Sequence, residues 1–178
     1  MFYLFLADGF EETEALAPLD MMRRAKIEVK TVGVTGEFVT GSHGVTVKAD
    51  LKPEEISFNN IDGVVLPGGM PGTINLGKSE TVTKAAVYCA ENGKITASRA
   101  APSVLGNLGI LKGKKATCFP GFEKELEGAT YTAAPVEIDG NVITGKGAGC
   151  AILFGKAIVE KAVSAEAANK VCGDMQCP

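Results

Sequence analysis

The chain has 178 residues, of which 46% are hydrophobic, and it carries a formal net charge of −3. This length and composition predict one folded domain with a full core and argue against intrinsic disorder. The charge balance and the lack of a basic stripe with interleaved aromatics argue against a nucleic-acid partner, and no apolar run reaches membrane-spanning length.

Strand and helix signals alternate from the start of the chain. The apolar run 2–6 predicts a buried strand rather than a signal peptide, because acidic residues follow it at once. Residues 11–24 predict a helix with acid in its first turn and arginines in its last. The next predicted elements are a strand at 27–34, a hairpin of 38–40 with 45–48, a strand at 63–66 and a Ser79-capped helix ending at Asn92.

The second half of the chain continues this alternation. A strand, a sharp turn and a helix are predicted over 94–106, followed by a short strand at 115–118. Asp139-Gly140 predicts a two-residue hairpin between strands 136–138 and 142–144, and 151–163 predicts an amphipathic helix. The whole pattern predicts an α/β domain over residues 1–164, with a mainly parallel sheet and helices on both faces. Residues 165–178 are expected to form a tail that frays.

The turn at 94–106 is the segment most informative about function. A sharp strand-to-helix turn exposes one side chain above free helix N–H groups, an arrangement that suits a thiolate or hydroxyl nucleophile. In this chain that position is Arg99, which cannot act as a nucleophile.

Ligands of a parallel sheet bind at the carboxyl ends of its strands. Three segments are predicted to lie there: the acidic loop 7–14, the glycine loop 66–72 and the turn at Arg99. A glycine N–H and the N–H that follows Arg99 would together form an oxyanion hole.

These segments also carry a family resemblance. The sequences LADGFEETEALAPLDMMRRA, DGVVLPGGMPGTINL, RAAPSVLGNLGIL, ATCFPGFEKEL and DGNVITGKGAGCA occur in this order. They resemble the ThiJ/PfpI superfamily, and most closely the branch that contains the parkinsonism-associated protein deglycase. The resemblance implies a flavodoxin-like sandwich that usually forms a homodimer partly through its first helix. We expect no cofactor and no metal.

The resemblance also implies roles for individual positions. Glu14 occupies the position of the glutamic acid that stabilises the family's elbow cysteine, and Arg99 occupies the position of the cysteine itself. Gly69 and Ala100 match the oxyanion-hole donors, and Gly68 and Cys118 are neighbouring pocket residues. The chain departs from the family pattern at three further positions: Phe119 replaces a histidine, Lys146 an arginine and Ala148 a proline.

Other nucleophiles and metal ligands have less support in the sequence. Cys118 is the alternative thiol, although a free cysteine usually acts as a small buried hydrophobe. Ser98 is expected to point to the opposite side of the sheet, and His43 is expected to be a solvated turn residue. Cys89 and Cys150 are expected to be structural. Cys172 and Cys177 allow a disulfide or a metal contact, but they lack the companion ligands of a zinc site. The odd number of cysteines indicates a reducing cytoplasm.

Two functions therefore remain open. One is a pseudoenzyme that keeps the fold for stress-related binding or chaperoning, with a small carbonyl or anionic molecule as a candidate ligand. The other is an active glyoxalase, deglycase or hydrolase that uses Cys118, or a cysteine restored at position 99 by a single base change. We expect Glu14 and Arg99 to form an ion pair; the alternative is that Arg99 turns outward to bind an anion.

Overall fold

The fold is built on a six-stranded central sheet. The structure is a computed structural model that describes residues 1–99 and 102–177. From one edge to the other, the strands are β2 Val29–Gly33, β1 Phe2–Leu6, β5 Gly63–Leu66, β6 Ile95–Ser98, β10 Val142–Gly145 and β9 Val136–Asp139. The first five run parallel, and β9 runs antiparallel to β10. The predicted α/β architecture with a mainly parallel sheet is confirmed.

Helices cover both faces of the sheet. On one face lie α1 Glu12–Arg24, α4 Ala151–Ala162 and α5 Ala165–Asp174; on the other lie α2 Gly72–Lys78 and α3 Glu80–Glu91. Strand β1 is apolar at every position because both of its faces are covered. Its residues alternate between the two cores, with Leu4 on the α1 and α4 side and Phe5 on the α3 side. None of the helices in the described residues is long and apolar enough to cross a membrane.

Helices α1 and α4 pack at close range through a glycine. A Cβ atom on Gly155 would lie 2.6 Å from the sulfur of Met21 and 3.1 Å from the Cα of Pro18. A larger residue there would require Met21 to move and would leave little room beside the backbone of Pro18. Gly155 therefore allows the close approach of the first and fourth helices.

Most of the local predictions agree with the structure. Ser79 caps α3, since its hydroxyl accepts a hydrogen bond from the Val82 N–H. The predicted hairpins are present as β3 Phe38–Thr40 with β4 Thr46–Lys48, and as β9 with β10. Helix α2 was not predicted, because its short sequence GTINLGK contains two glycines and little apolar periodicity.

Two predicted elements differ from the structure. In place of a longer helix after Arg99, the chain forms a short π-helical segment, Pro102–Gly106. Gly106 and Gly109 weaken a continuing helix, and Gly109 adopts a positive φ of 71°. The strand predicted at 115–118 is only two residues long, β7 Lys115–Ala116. It pairs in parallel with β8 Thr130–Tyr131, outside the central sheet.

The expectation that the residues after Ser164 fray is wrong. Ser164 caps α5 by accepting a hydrogen bond from the Ala167 N–H at 3.1 Å. Ala168 and Val171, one helical turn apart, are buried in the core shared with α1 and α4. The serine cap and this apolar spacing are visible in the sequence and are the normal signals of an amphipathic helix.

Docking of α5 can be tested by truncating its buried valine. We expect Val171→Ala to lower the free energy of unfolding by about 2 kcal/mol, because it removes buried methyl groups and leaves a cavity. Asn169→Ala, at an exposed position of the same helix, should change it by less than about 0.5 kcal/mol. Urea denaturation measures both values. Equal effects of the two substitutions would contradict the docking of α5.

Candidate functional site

A pocket of about 330 Å³ lies at the carboxyl ends of β1, β5, β6 and β10. It is lined by Glu14 from α1, Gly69 from the loop after β5, Arg99 from the end of β6, and Lys146 from the loop after β10. The predicted convergence of the acidic loop, the glycine loop and the turn at Arg99 is thus observed. This location is the usual ligand position in open α/β sheets.

The carboxylate of Glu14 joins the first helix to the glycine loop. Its Oε2 atom accepts a hydrogen bond of 2.9 Å from the Gly68 N–H. One turn earlier, Glu11 caps α1, because its Oε2 accepts a hydrogen bond of 2.7 Å from the Glu14 N–H. The Glu11 N–H in turn donates to the Gly68 carbonyl at 2.8 Å. Two hydrogen bonds therefore join the start of α1 to the glycine loop, and the Glu11 cap orders the start of the helix.

Gly69 is required where the loop presses against the start of α1. Its φ of 99° lies in the left-handed region that favours glycine. A Cβ atom there would also lie 2.3 Å from the Glu11 backbone nitrogen. The packing of the loop against α1 thus explains the need for glycine at position 69 without reference to any ligand.

Arg99 lies beneath the pocket with its side chain fully buried. Its Nε atom is 3.5 Å from Oε1 of Glu14, and the centre of its guanidinium lies 5.3 Å from the centroid of the Phe154 ring on α4. The expected contact between Glu14 and Arg99 is therefore present, through one nitrogen rather than as a bidentate pair. Within the described residues, none of the three guanidinium nitrogens has a hydrogen-bond partner.

Burial dominates the electrostatics of this pair. It raises the pKa of Glu14, while the charge of Arg99 and the hydrogen bond from Gly68 act in the opposite direction. Burial also lowers the pKa of Arg99, against the favourable charge of Glu14. Each ion makes the burial of the other tolerable, because an unpaired charge at this depth is very costly.

The mouth of the pocket is apolar and aromatic. Met70, Phe119 and Phe122 line it, and Phe119 is 60% exposed. The rings of Phe119 and Phe122 meet edge to face, with centroids 6.4 Å apart. Lys146 and Ala148, two of the positions where the sequence departs from the family pattern, line the same pocket. The site therefore combines an apolar entrance with charged groups at its floor and side.

The structure places several other candidate residues away from the pocket. Cys118 is fully buried in the hydrophobic core and does not line the pocket, contrary to the expectation from the resemblance. Burial raises the pKa of its thiol to about 11, which disfavours the reactive thiolate. Ser98 is buried, and its hydroxyl has no partner among the described residues. Ala100, the second predicted oxyanion donor, lies outside the described residues.

The remaining cysteines are free thiols in the structure. Cys89 is buried in α3, as expected, and Cys150 is partly exposed at the start of α4. Cys172 and Cys177 do not form a disulfide.

Sequence reasoning missed Glu12 and two residues of the entrance. Met70 and Phe122 line the pocket, and their only signal was proximity to the glycine loop and to Phe119. Glu12 accepts hydrogen bonds from the His43 and Val45 N–H groups at 2.8 and 3.3 Å, and its Oε2 lies 2.9 Å from Nδ1 of His43.

The imidazole of His43 is exposed, as expected, but the hydrogen bond to Glu12 raises its pKa. Ligand atoms of Glu11, Glu12 and His43 lie within 4.8 Å of one another, the one such cluster found in the described parts of the chain. The Glu12 oxygens are already used as acceptors for this hairpin.

The buried pair can be tested by removing its carboxylate. We expect Glu14→Ala to lower the free energy of unfolding by on the order of 3 kcal/mol, because the Arg99 charge is left buried without a counter-ion. Combining it with Arg99→Met should recover part of the loss, since the unpaired charge is then removed. Urea denaturation of the single and double variants measures this coupling. Strictly additive effects would mean that the pair makes no energetic contribution.

The Glu12 contacts predict an acid-sensitive stability. Burial alone would raise the pKa of Glu12, but hydrogen bonds from His43 and the hairpin backbone lower it from 4.5 to about 2. A lowered pKa means that the stabilisation is present above pH 4.5 and is lost as the pH falls towards about 2. Glu12→Gln should therefore flatten the fall in urea midpoint over this range. Glu28→Gln, at an exposed position, should leave it unchanged.

Comparison with known proteins finds relatives of this chain in one family. The model of the DJ-1/PfpI family matches residues 2–161. Protein DJ-1 homolog B of Arabidopsis thaliana is 38% identical over 174 residues, 96% of this chain and 40% of the relative, so the chain spans less than half of that protein. A deglycase of Pyrococcus abyssi is 32% identical over 144 residues, 79% of this chain and 86% of the deglycase.

The folds agree as well as the sequences. The crystal structure of Drosophila melanogaster DJ-1beta matches with a TM-score of 0.94 at 32% identity, covering 99% of this chain and 97% of the other. The fold is accordingly flavodoxin-like. With nearly the whole chain matched by the family model and by this structure, the chain belongs to the DJ-1/PfpI family.

Proposed function

We propose that the chain is a non-catalytic member of the DJ-1/PfpI family, which keeps the pocket as a binding site in a stress-related or chaperone-like role. One observation carries the proposal: a buried guanidinium, that of Arg99, occupies the end of β6 where the resemblance places the nucleophile. A guanidinium is always protonated near neutral pH and cannot form an acyl or hemithioacetal intermediate.

The proposed ligand is a small anionic or carbonyl molecule. The entrance at Met70 and Phe119 offers apolar contact, while Lys146 places a cation at the side of the pocket. The Glu14 carboxylate already accepts a hydrogen bond from Gly68 and contacts the guanidinium of Arg99. In this role Glu14 serves as the counter-ion of Arg99 rather than as the acid beside a thiolate.

An active small-carbonyl deglycase or glyoxalase is the second candidate. It is favoured by the likeness to the Pyrococcus abyssi deglycase and by the presence of Glu14 in the pocket. It would need a thiol, either Cys118 or a cysteine restored at position 99. The burial of Cys118 and the raised pKa of its thiol argue against the first of these routes.

The family resemblance also supports a homodimer as part of this proposal, and the odd number of cysteines supports a location in the cytoplasm. The exposed Phe38 and Val45 of the β3–β4 segment offer apolar surface for self-association. Sedimentation of the purified chain over a range of concentrations tests the dimer, and a monomer at every concentration would contradict it.

Turnover of methylglyoxal tests the catalytic part of the proposal. We expect the chain to be indistinguishable from an inert-protein control, because no thiolate is available at the end of β6. Arg99→Cys, alone and combined with Glu14→Gln, tests whether the rest of the pocket supports the reaction once a thiol is supplied. Turnover by the unmodified chain that disappears in Cys118→Ser would contradict the proposal and establish the alternative thiol.

A further inference from the structure

Helix α5 ends in a Schellman motif formed by its last turn. The Cys177 N–H donates to the Cys172 carbonyl at 2.9 Å, and the Gln176 N–H donates to the Gly173 carbonyl at 3.0 Å. Gln176 adopts the left-handed conformation that this motif requires, with a φ of 54°. Together these features reverse the chain and fold residue 177 back over residue 172.

This motif brings together the side chains at its two ends, which are usually apolar. Here both are cysteines, and both are free and partly exposed. Burial raises the pKa of the Cys172 thiol, as do the charge of the Cys177 side chain and a hydrogen bond with it. The backbone geometry of the motif therefore places the two thiols near each other while they are reduced.

We propose that Cys172 and Cys177 form a reactive dithiol that closes reversibly to a disulfide by exchange with a small-molecule disulfide such as oxidised glutathione. In the first step one cysteine thiolate, having lost its proton to solvent, attacks the disulfide and releases one glutathione thiolate. The second cysteine, also deprotonated, then attacks the mixed disulfide, forms the intramolecular S–S bond and releases the second glutathione thiolate. The protein loses two electrons and two protons, and one oxidised glutathione becomes two reduced ones.

A cationic side chain near the pair partly opposes the burial that raises the pKa of Cys172. Arg24 at the end of α1 lies within electrostatic range of Cys177, and Lys156 of α4 within range of Cys172. Cations near a thiol stabilise the attacking thiolate. Acidic neighbours are also present. The ion pair between Arg24 and Asp20 reduces the effect of both charges on Cys177, and Asp174 is paired with Lys170.

Closing the disulfide would link the last turn of α5 covalently to Cys177, two residues after the C-cap Met175. Val171, next to Cys172, is one of the two buried residues that dock α5 on the core. Oxidation would thus hold the end of this helix in its docked form. The inference does not depend on the proposed function of the pocket.

Equilibration of the intact chain with glutathione buffers of increasing oxidised fraction tests the proposal. After acid quenching and alkylation, trypsin releases the peptide 171–178, which contains both cysteines and no others. We expect this peptide to escape alkylation and to lose the mass of two hydrogen atoms, and both changes should reverse with dithiothreitol. Cys172→Ser should instead stop at a glutathione adduct on Cys177.

A pair of variants at position 176 tests the role of the turn. Gln176→Gly keeps the left-handed conformation and should close as readily as the unmodified chain. Gln176→Val strongly disfavours that conformation and should need a more oxidising buffer to reach half closure. Three outcomes would overturn the proposal: a stable glutathione adduct in the unmodified chain, disulfide-linked dimers through either cysteine, or equal closure in the two position-176 variants.

Discussion

The carboxylate of Glu14 is the contact on which the geometry of the pocket depends. One oxygen accepts the Gly68 N–H and the other faces the Arg99 guanidinium, so a single side chain connects α1, the loop after β5 and the end of β6. Three segments distant in sequence are thereby fixed at one end of the sheet. The pocket owes its shape to this buried acid, whether or not any chemistry takes place there.

The arginine beneath the pocket needs more than one compensating interaction. Burying an ion costs several kcal/mol even after relaxation, whereas a desolvated cation–π contact such as that with Phe154 returns about 2 kcal/mol. The aromatic ring alone therefore does not offset the cost, and the Glu14 charge must supply much of the remainder. Space is also needed: Gly145 on β10 lies so close that a Cβ atom there would approach Nη1 to 3.0 Å. The side chain thus fits between a glycine, a ring and an acid.

Much of this arrangement could be predicted from the sequence, and the failures have physical causes. The apolar strands and the convergence of Glu14, Gly69 and Arg99 followed from periodicity and from the rule for carboxyl strand ends. The burial of Cys118 in the core could not be predicted, because the side that a residue faces after a two-residue strand depends on tertiary packing. Helix α5 was not predicted, because Gly173 and Pro178 near the end of the chain indicate fraying, whereas the helix is held by the burial of Ala168 and Val171 in the core. The single-nitrogen geometry of the ion pair depends on distances that no sequence pattern encodes.

The packing of α1 against α4 has a consequence for how the chain is made. Helix α1 precedes the other helices of this fold in the chain, yet its apolar face is covered by α4, which follows all six strands of the sheet, and by the still later α5. While the ribosome elongates the chain, the opposite face can already be covered by α2 and α3, but the α1 side stays uncovered. An exposed apolar face on a growing chain is prone to aggregation. Cotranslational protection by a chaperone would matter most during the interval between the emergence of β1 and that of Phe154.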